Sequence, residues 1–166
     1  CGTLGASARA MLDWLDKAQC SLWQVLPLHP PGRDGSPYDS PSAFALDTRL
    51  IDIPDLVDGG LLPRSALLGM PESSEVLDTE GLSSWHRPQV EAAAQALIRN
   101  EPEVVETFSE RHPWVKEWAR FRALTLAHKV HGWWDLPAPF QRRHPGALVA
   151  ADRAHADAIA TEIAAQ

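Results

Sequence analysis

The sequence is poor in cysteine, and its two cysteines, Cys1 and Cys20, stand far apart in the chain. They do not provide a disulfide framework, and they lack the close Cys spacing that is typical of a zinc site. Proteins without disulfides are typical of reducing compartments, so this shortage predicts a cytoplasmic location.

Long apolar runs and an excess of positive charge are missing as well. No apolar stretch approaches the roughly 18 residues that a membrane span needs, and the start of the chain has no signal-peptide pattern. The net charge of −7 argues against an anionic membrane or a nucleic-acid backbone as partner. We therefore predict no membrane partner and no nucleic-acid partner. Because the 166 residues begin with cysteine rather than methionine, we expect an excerpt or a processed product.

Several motifs that carry chemistry are absent from the sequence. It contains neither the Gly-x-Ser-x-Gly turn of serine hydrolases nor a Gly-x-Gly-x-x-Gly or Walker loop for nucleotides. His128 and His131 stand one helical turn apart and Asp135 follows, but a metal site needs three or more converging ligands. We interpret these two histidines as surface or capping residues and predict no metal site.

What the sequence does have is a cluster of proline and glycine after a short apolar run. The run Trp23-Gln-Val-Leu-Pro-Leu28 predicts a buried β-strand over Ser21 to Leu26. From Pro27 to Ala43, repeated proline and glycine exclude a helix or a sheet and predict a stiff loop. In α/β enzymes, polar loops that follow buried strands form substrate sites. An ordinary connecting loop fits the same pattern, and the pattern alone does not decide between them.

Two side chains of this loop suit a sugar ligand. Ser36 offers a hydroxyl that both donates and accepts hydrogen bonds, and Tyr38 adds a second hydroxyl and a flat apolar ring. Pro37 and Pro41 restrict the backbone around them, which lowers the entropic cost of ordering the loop around a ligand.

Most of the remaining sequence predicts helices. Their expected positions are Ser7–Gln19 with Ser7 as N-cap, one turn at Asp55–Asp58, a short helix at Pro63–Leu68, a helix from Pro88 to Asn100, a turn from Pro102, a long helix from Pro113 to Gly132, and a last helix from Pro145 to Ala164. Arg49–Ile53 is expected to be extended, and Gly69–Arg87 is expected to be a surface loop.

Two groups within these helices leave an alternative open. Asp52, Asp55 and Asp58 could form a carboxylate cluster, but acids at a helix N-terminus explain the spacing better. The aromatic set Trp114, Trp118 and Phe121 favours a helix packing face over a sugar-stacking surface.

The central segments carry a family resemblance. They are Gly2-Thr-Leu-Gly5, Met11-Leu-Asp-Trp-Leu15, Leu22-Trp-Gln-Val-Leu-Pro-Leu28, Gly35-Ser-Pro-Tyr-Asp-Ser-Pro-Ser-Ala-Phe-Ala45, Leu50-Ile-Asp-Ile53 and Leu56-Val-Asp-Gly-Gly-Leu-Leu62. Together they resemble the 4-α-glucanotransferase family, also called amylomaltases or disproportionating enzymes. The match is specific up to Leu62, and the rest resembles the family only in its helical layout.

The resemblance implies an α/β fold that is part of a (β/α)8 TIM barrel, with this chain mostly α-helical and containing one strand. Residues 1–62 would form an N-terminal barrel segment and residues 63–166 an α-helical insertion subdomain. It also implies retaining transfer of α-1,4-glucan segments without a cofactor, for which two carboxylates are needed. In the family these lie in Arg-x-Asp-His and Glu-Asp-Leu-Gly contexts, and neither occurs in this sequence.

The residues that carry over are therefore binding residues and not catalytic ones. Ser36 and Tyr38 match the family's serine and tyrosine that line the donor-sugar site. After Ala45 the sequence departs from the family's usual Gly-Asn-Pro. We predict a fragment of a 4-α-glucanotransferase that binds a maltooligosaccharide and needs the remainder of the barrel for catalysis. The alternative is a non-catalytic helical module that binds carbohydrate or another protein.

Overall fold

The computed structural model describes residues 2–32, 34–71 and 79–166, and within these ranges the chain is helical. The α-helices are α1 (Ala6–Lys17), α2 (Ile53–Asp58), α3 (Thr79–Asn100), α4 (Pro102–Arg111), α5 (Trp114–His128), α6 (Ala138–Gln141), α7 (Pro145–Ala154) and α8 (Ala156–Ala165). Short 3₁₀ turns occupy Thr48–Leu50, Arg64–Leu67 and Trp133–Asp135.

The predicted strand from Ser21 to Leu26 is wrong. No residue in the described ranges belongs to a β-strand, and residues 21–26 have no regular secondary structure. A strand needs a neighbour with which to exchange backbone hydrogen bonds, and the described part of this chain does not supply one. The segment is not buried either, since Leu22 is 82% exposed.

Helix α8 lies between α3 and α5, and these three helices form the main body of the structure. Half of its ten residues are alanine, and such small side chains allow two neighbouring helices to approach closely. The helix predicted from Pro145 to Ala164 is two helices in the structure, α7 and α8, because the helical conformation is interrupted at His155.

Two apolar cores stabilise the body. The first joins α2, the 3₁₀ turn at Arg64–Leu67 and α3, and it is built around Ile53, Leu62 and Val90. The second joins α5 and α7 through Leu124, Leu136 and Ala151. Burial of these side chains provides the main favourable contribution to folding.

Several helix boundaries differ from those predicted. Helix α1 starts after Gly5 rather than after a Ser7 cap. Helix α5 ends at His128, and the left-handed Lys129 follows it, whereas the sequence predicted the end of the helix at Gly132. Residues 79–87, predicted to be a surface loop, form the first turns of α3, and this helix continues through Pro88. The rest of that predicted loop, residues 72–78, lies outside the described residues.

The N-terminus of α2 agrees with the sequence pattern. Pro54 lies in the first turn, and the Asp52 carboxylate accepts a hydrogen bond from the Asp55 amide at 3.2 Å. Of the segment Arg49–Ile53, predicted to be extended, only Ile51 and Asp52 are extended, because Thr48–Leu50 forms a 3₁₀ turn and Ile53 begins α2.

Candidate functional site

The proline-rich loop, residues 27–45, is closed at its base by two hydrogen bonds. The Asp47 amide donates to the Leu28 carbonyl at 2.8 Å, and Nδ1 of His29 lies 2.9 Å from the Ala45 carbonyl. The two ends of the loop are therefore joined to each other, so that the loop projects as one unit.

Serine side chains support the loop from within. The Ser36 hydroxyl accepts from the Tyr38 amide at 3.3 Å, and the Ser42 hydroxyl accepts from the Ala45 amide at 3.0 Å. The Ser40 hydroxyl donates to the Ser42 carbonyl at 2.7 Å. Such local bonds replace the backbone partners that a helix or sheet would provide, so the loop has a defined shape without regular secondary structure.

Glycine is required at two points of the loop. Gly35 has a φ of +76°, which side chains larger than hydrogen disfavour. Gly32 packs so closely on the backbone and carboxylate of Asp39 that a Cβ atom would overlap them. The chain can therefore fold back on itself at this point and present residues 36–39 as a tight turn.

The two predicted site residues lie on this turn. Tyr38 is 76% exposed, and Ser36 is partly buried beside it. The Ser36 hydroxyl serves the turn itself as an acceptor, which the sequence did not indicate, yet it keeps its proton for donation to a ligand. Two hydroxyl-bearing side chains and an exposed ring on one turn match the polar edges and apolar faces of a sugar.

A cleft of about 840 Å³ separates the loop from the helical body. The loop contributes Pro30, Pro31, Gly32, Asp34, Gly35 and Pro41, and the opposite wall includes residues of α3, α5 and α8. Neither Ser36 nor Tyr38 is among the described residues that line this cleft. The predicted sugar site and this cleft are thus formed by different residues of the same loop.

The loop contacts the helical body at two places. Near its end, the Phe44 ring stacks on the Trp114 ring with centroids 6.2 Å apart and an interplanar angle of 21°. Just beyond the loop, the Leu46 amide donates to Oε1 of Gln166 at 3.0 Å, and Nε2 of Gln166 donates to the Leu46 carbonyl at 3.2 Å. Neither contact could be predicted from the sequence.

The aromatic set of α5 packs inside the body as predicted. Trp118 is only 6% exposed, its ring lies 5.7 Å from that of Phe121, and its indole Nε1 donates to Glu162 at 2.7 Å. A buried indole N–H needs such an acceptor. Trp118 is therefore a packing residue, while Trp114 has one contact to the loop through Phe44.

Glu162 is a carboxylate that is largely shielded from solvent. It stands between Ile159 and Ile163 in an otherwise apolar stretch of α8, which is the sequence signal for a buried carboxylate. Partial burial raises the pKa of Glu162, and this effect exceeds the opposing influence of Arg122 and of the Trp118 N–H.

We expect the Glu162→Gln variant to gain stability relative to the original protein as the pH rises above about 4.5, the ordinary value for glutamate. A carboxyl with a raised pKa stabilises the folded state fully below its unfolded pKa, and this contribution is lost as the pH rises through the folded pKa. Glutamine keeps an oxygen for Trp118 and has no charge to bury. Thermal unfolding of both proteins between about pH 4 and about pH 8 measures the difference, and a constant difference would contradict the shift.

Other charged groups form structural ion pairs. Arg120 binds the Asp152 carboxylate at 2.6 Å and Glu117 at 2.6 Å, and Arg9 of α1 binds Asp55 of α2 at 2.7 Å. The hydrogen bond from Arg120 lowers the pKa of Asp152, and that from Arg9 lowers the pKa of Asp55. The pairs with Asp152 and Asp55 join two helices, and the pair with Glu117 lies within α5, so these carboxylates are bound to arginine.

The interpretation of the acidic cluster as helix N-terminal acids is confirmed for Asp52 and Asp55, whereas Asp58 is the exposed last residue of α2. Asp52 caps α2 and accepts from the Thr3 hydroxyl, while Asp55 binds Arg9.

Among the described residues, no three His, Cys, Asp or Glu side chains converge as metal ligands. His128 contacts the Phe140 ring, and His131 is exposed. No helix in the described ranges is long and apolar enough to cross a membrane.

Comparison with known proteins gives consistent matches over the whole chain. The family model of 4-alpha-glucanotransferases matches residues 1–166. The chain is 37% identical to the chloroplastic/amyloplastic 4-alpha-glucanotransferase of Solanum tuberosum, with 99% of this chain and 30% of that protein covered. It is 36% identical to the 4-alpha-glucanotransferase of Thermus thermophilus, with 96% of this chain and 32% of that protein covered.

A solved structure shows the same fold. Amylomaltase from Streptococcus agalactiae in complex with acarbose matches with a TM-score of 0.92 and 27% identity, covering 99% of this chain and 34% of that one. The chain therefore has the fold of part of an amylomaltase. It belongs to the 4-alpha-glucanotransferase family, and it spans about a third of the length of the curated relatives it matches.

Proposed function

We propose that this chain is the part of a 4-α-glucanotransferase that binds the donor sugar, and that Ser36 and Tyr38 are its binding residues. The observation that carries the proposal is the turn at residues 36–39, which the described structure closes by its own hydrogen bonds and leaves exposed at Tyr38. An ordered loop loses little entropy when a ligand binds. The family match supplies the class of ligand, an α-1,4-glucan.

The transfer would proceed with retention in two displacements. A carboxylate forms a covalent glycosyl-enzyme, and a second carboxylate acts as acid and then as base, with a sugar hydroxyl as acceptor in place of water. We propose that both carboxylates belong to the rest of the whole protein, because the sequence contexts expected for them do not occur in this chain. The chain then contributes recognition of the donor, and the mechanism requires no cofactor.

We further propose that residues 1–62 contribute to a (β/α)8 barrel and that residues 63–166 form its helical insertion. Exposed apolar side chains in the first segment support a missing partner, since Trp14, Leu22 and Leu26 are all more exposed than a folded core allows. The rest of the barrel would cover them. Apolar packing is continuous across this boundary at residue 62, because Ile53 on one side and Val90 on the other belong to the same apolar core.

The cytoplasm remains our proposal for the compartment of the whole protein. The scarcity of cysteine supports it. The name of the Solanum tuberosum relative places that protein in plastids, so a fractionation experiment that found this protein in an organelle would contradict the proposal.

We expect the whole protein to convert maltotriose into glucose and longer maltooligosaccharides, and we expect the purified 166-residue chain to produce neither. The chain lacks the two carboxylates that retaining transfer requires. Chromatographic separation of the products checks both results. Turnover by the isolated chain would contradict the assignment of the carboxylates to the rest of the protein, and an inactive whole protein would contradict the function.

A further inference from the structure

Gln166 occupies both backbone hydrogen-bonding groups of Leu46. Its carboxamide oxygen accepts from the Leu46 amide at 3.0 Å, and its carboxamide nitrogen donates to the Leu46 carbonyl at 3.2 Å. A side-chain amide has the same donor and acceptor as a backbone peptide group. Gln166 thus pairs with Leu46 as a residue of a neighbouring strand would.

The residues on either side of Leu46 use different partners. The Ala45 carbonyl lies 2.9 Å from His29, and the Asp47 amide donates to Leu28. The end of the proline-rich loop is therefore held on two sides, by its own beginning and by Gln166 of the helical body. Phe44, stacked on Trp114, adds a contact to α5.

Gln166 is itself fixed in place by the helical body. It follows Ala165, which packs against the first apolar core, and its Nε2 lies 3.5 Å from the Glu162 carboxylate. Helix α8 lies between α3 and α5. The side chain that meets Leu46 therefore extends from the end of a helix that packs against both α3 and α5.

We propose that Gln166 is a positioning residue for the glucan-binding loop: by pairing with Leu46 it sets where Ser36 and Tyr38 stand relative to the helical body. This inference rests on the proposed function of the loop. The prolines at 37 and 41 and the serine hydrogen bonds make the loop stiff, so a shift at Leu46 moves the turn at residues 36–39 with it. Gln166 touches no sugar in this scheme.

Three variants of the whole protein test the proposal. Gln166→Ala removes both hydrogen bonds, while Gln166→Glu keeps an acceptor for the Leu46 amide and loses the donor to its carbonyl. Gln95→Ala is the matched control, because Gln95 is exposed on α3 and lines the same cleft. Hydrogen exchange of the Leu46 amide and the kinetics of maltotriose disproportionation are measured for each.

For Gln166→Ala we expect about tenfold faster exchange at Leu46 and a KM for maltotriose raised by about fivefold to tenfold. The kcat should change less than about twofold, since the binding residues contact the donor in both the ground and the transition state. Gln166→Glu should restore most of the exchange protection at the Leu46 amide, and Gln95→Ala should match the original protein.

Other results overturn the proposal in distinguishable ways. Unchanged exchange at Leu46 in Gln166→Ala shows that Gln166 does not hold the loop. Faster exchange with an unchanged KM, while Tyr38→Ala still impairs transfer, rejects the positioning role and leaves the proposed function standing. If both Gln166→Ala and Tyr38→Ala leave transfer unchanged, the loop is not the donor site and both proposals fail.

Discussion

Replacing Tyr38 by alanine in the whole protein should lower the rate of glucan transfer by roughly tenfold to a hundredfold, with little change in the unfolding midpoint. One hydrogen bond and one ring contact to a sugar contribute about 1 kcal/mol each, and about 1.4 kcal/mol corresponds to tenfold in rate. Tyr38 is 76% exposed, so the folded chain loses little packing when the ring is removed. Maltotriose disproportionation and thermal unfolding measure the two effects.

The Tyr38→Phe variant separates the two parts of this effect. It keeps the flat ring and removes only the hydroxyl, so it should retain an intermediate rate. Trp134→Ala is the matched control, because Trp134 is also an exposed aromatic residue. It follows the C-terminal end of α5, whereas the loop contacts the N-terminal end through Phe44. An unchanged rate in Tyr38→Ala would remove Tyr38 from the donor site.

Replacing Trp118 by alanine should lower the free energy of unfolding by about 3–5 kcal/mol. The indole is 6% exposed and contacts the Phe121 ring within the helical body. Its removal leaves a cavity and also takes the N–H donor away from the partly buried Glu162 carboxylate. Chemical denaturation of the 166-residue chain measures the loss.

Two further variants identify the source of that loss. Trp118→Phe keeps most of the apolar volume and removes the N–H, so the difference between the two variants reports the packing contribution. Trp134→Ala, at a position 64% exposed, should change the free energy of unfolding by less than about 0.5 kcal/mol. Equal effects at the two tryptophans would show that Trp118 is not a core residue in solution.

Helices set by local signals were predictable from the sequence. Periodic apolar residues located α1 and α5, and the pattern Asp52–Pro54 located the start of α2. The start of α3 was missed because the polar stretch before Pro88 resembles a loop, whereas in the structure Trp85 packs against the first apolar core and His86 contacts the Ile51 carbonyl. Local composition is a weak guide wherever packing decides the outcome.

The strand at Ser21–Leu26 shows a second limit of the sequence. An apolar run indicates that a segment has to be covered, but a strand exists only when another segment pairs with it. In the described structure this run has no such partner, and Leu22 stays exposed. The apolar run therefore identified a hydrophobic segment, but the β-strand predicted from it is wrong.

For the candidate site, the resemblance supplied Ser36 and Tyr38, while the structure supplied their surroundings. The serine pattern around Tyr38 could in principle have suggested a turn stabilised by hydroxyl groups. The pairing of Gln166 with Leu46 could not have been found in this way, because the two residues are 120 positions apart and neither is distinctive in type.

That separation of 120 positions has a consequence for the order of events during synthesis. The ribosome makes the chain from its N-terminus, so the proline-rich loop emerges long before α8 exists. Closing so long a span carries an entropic cost that only the packing of the intervening helices can offset. The loop therefore takes its final place late, after the helical body has been made.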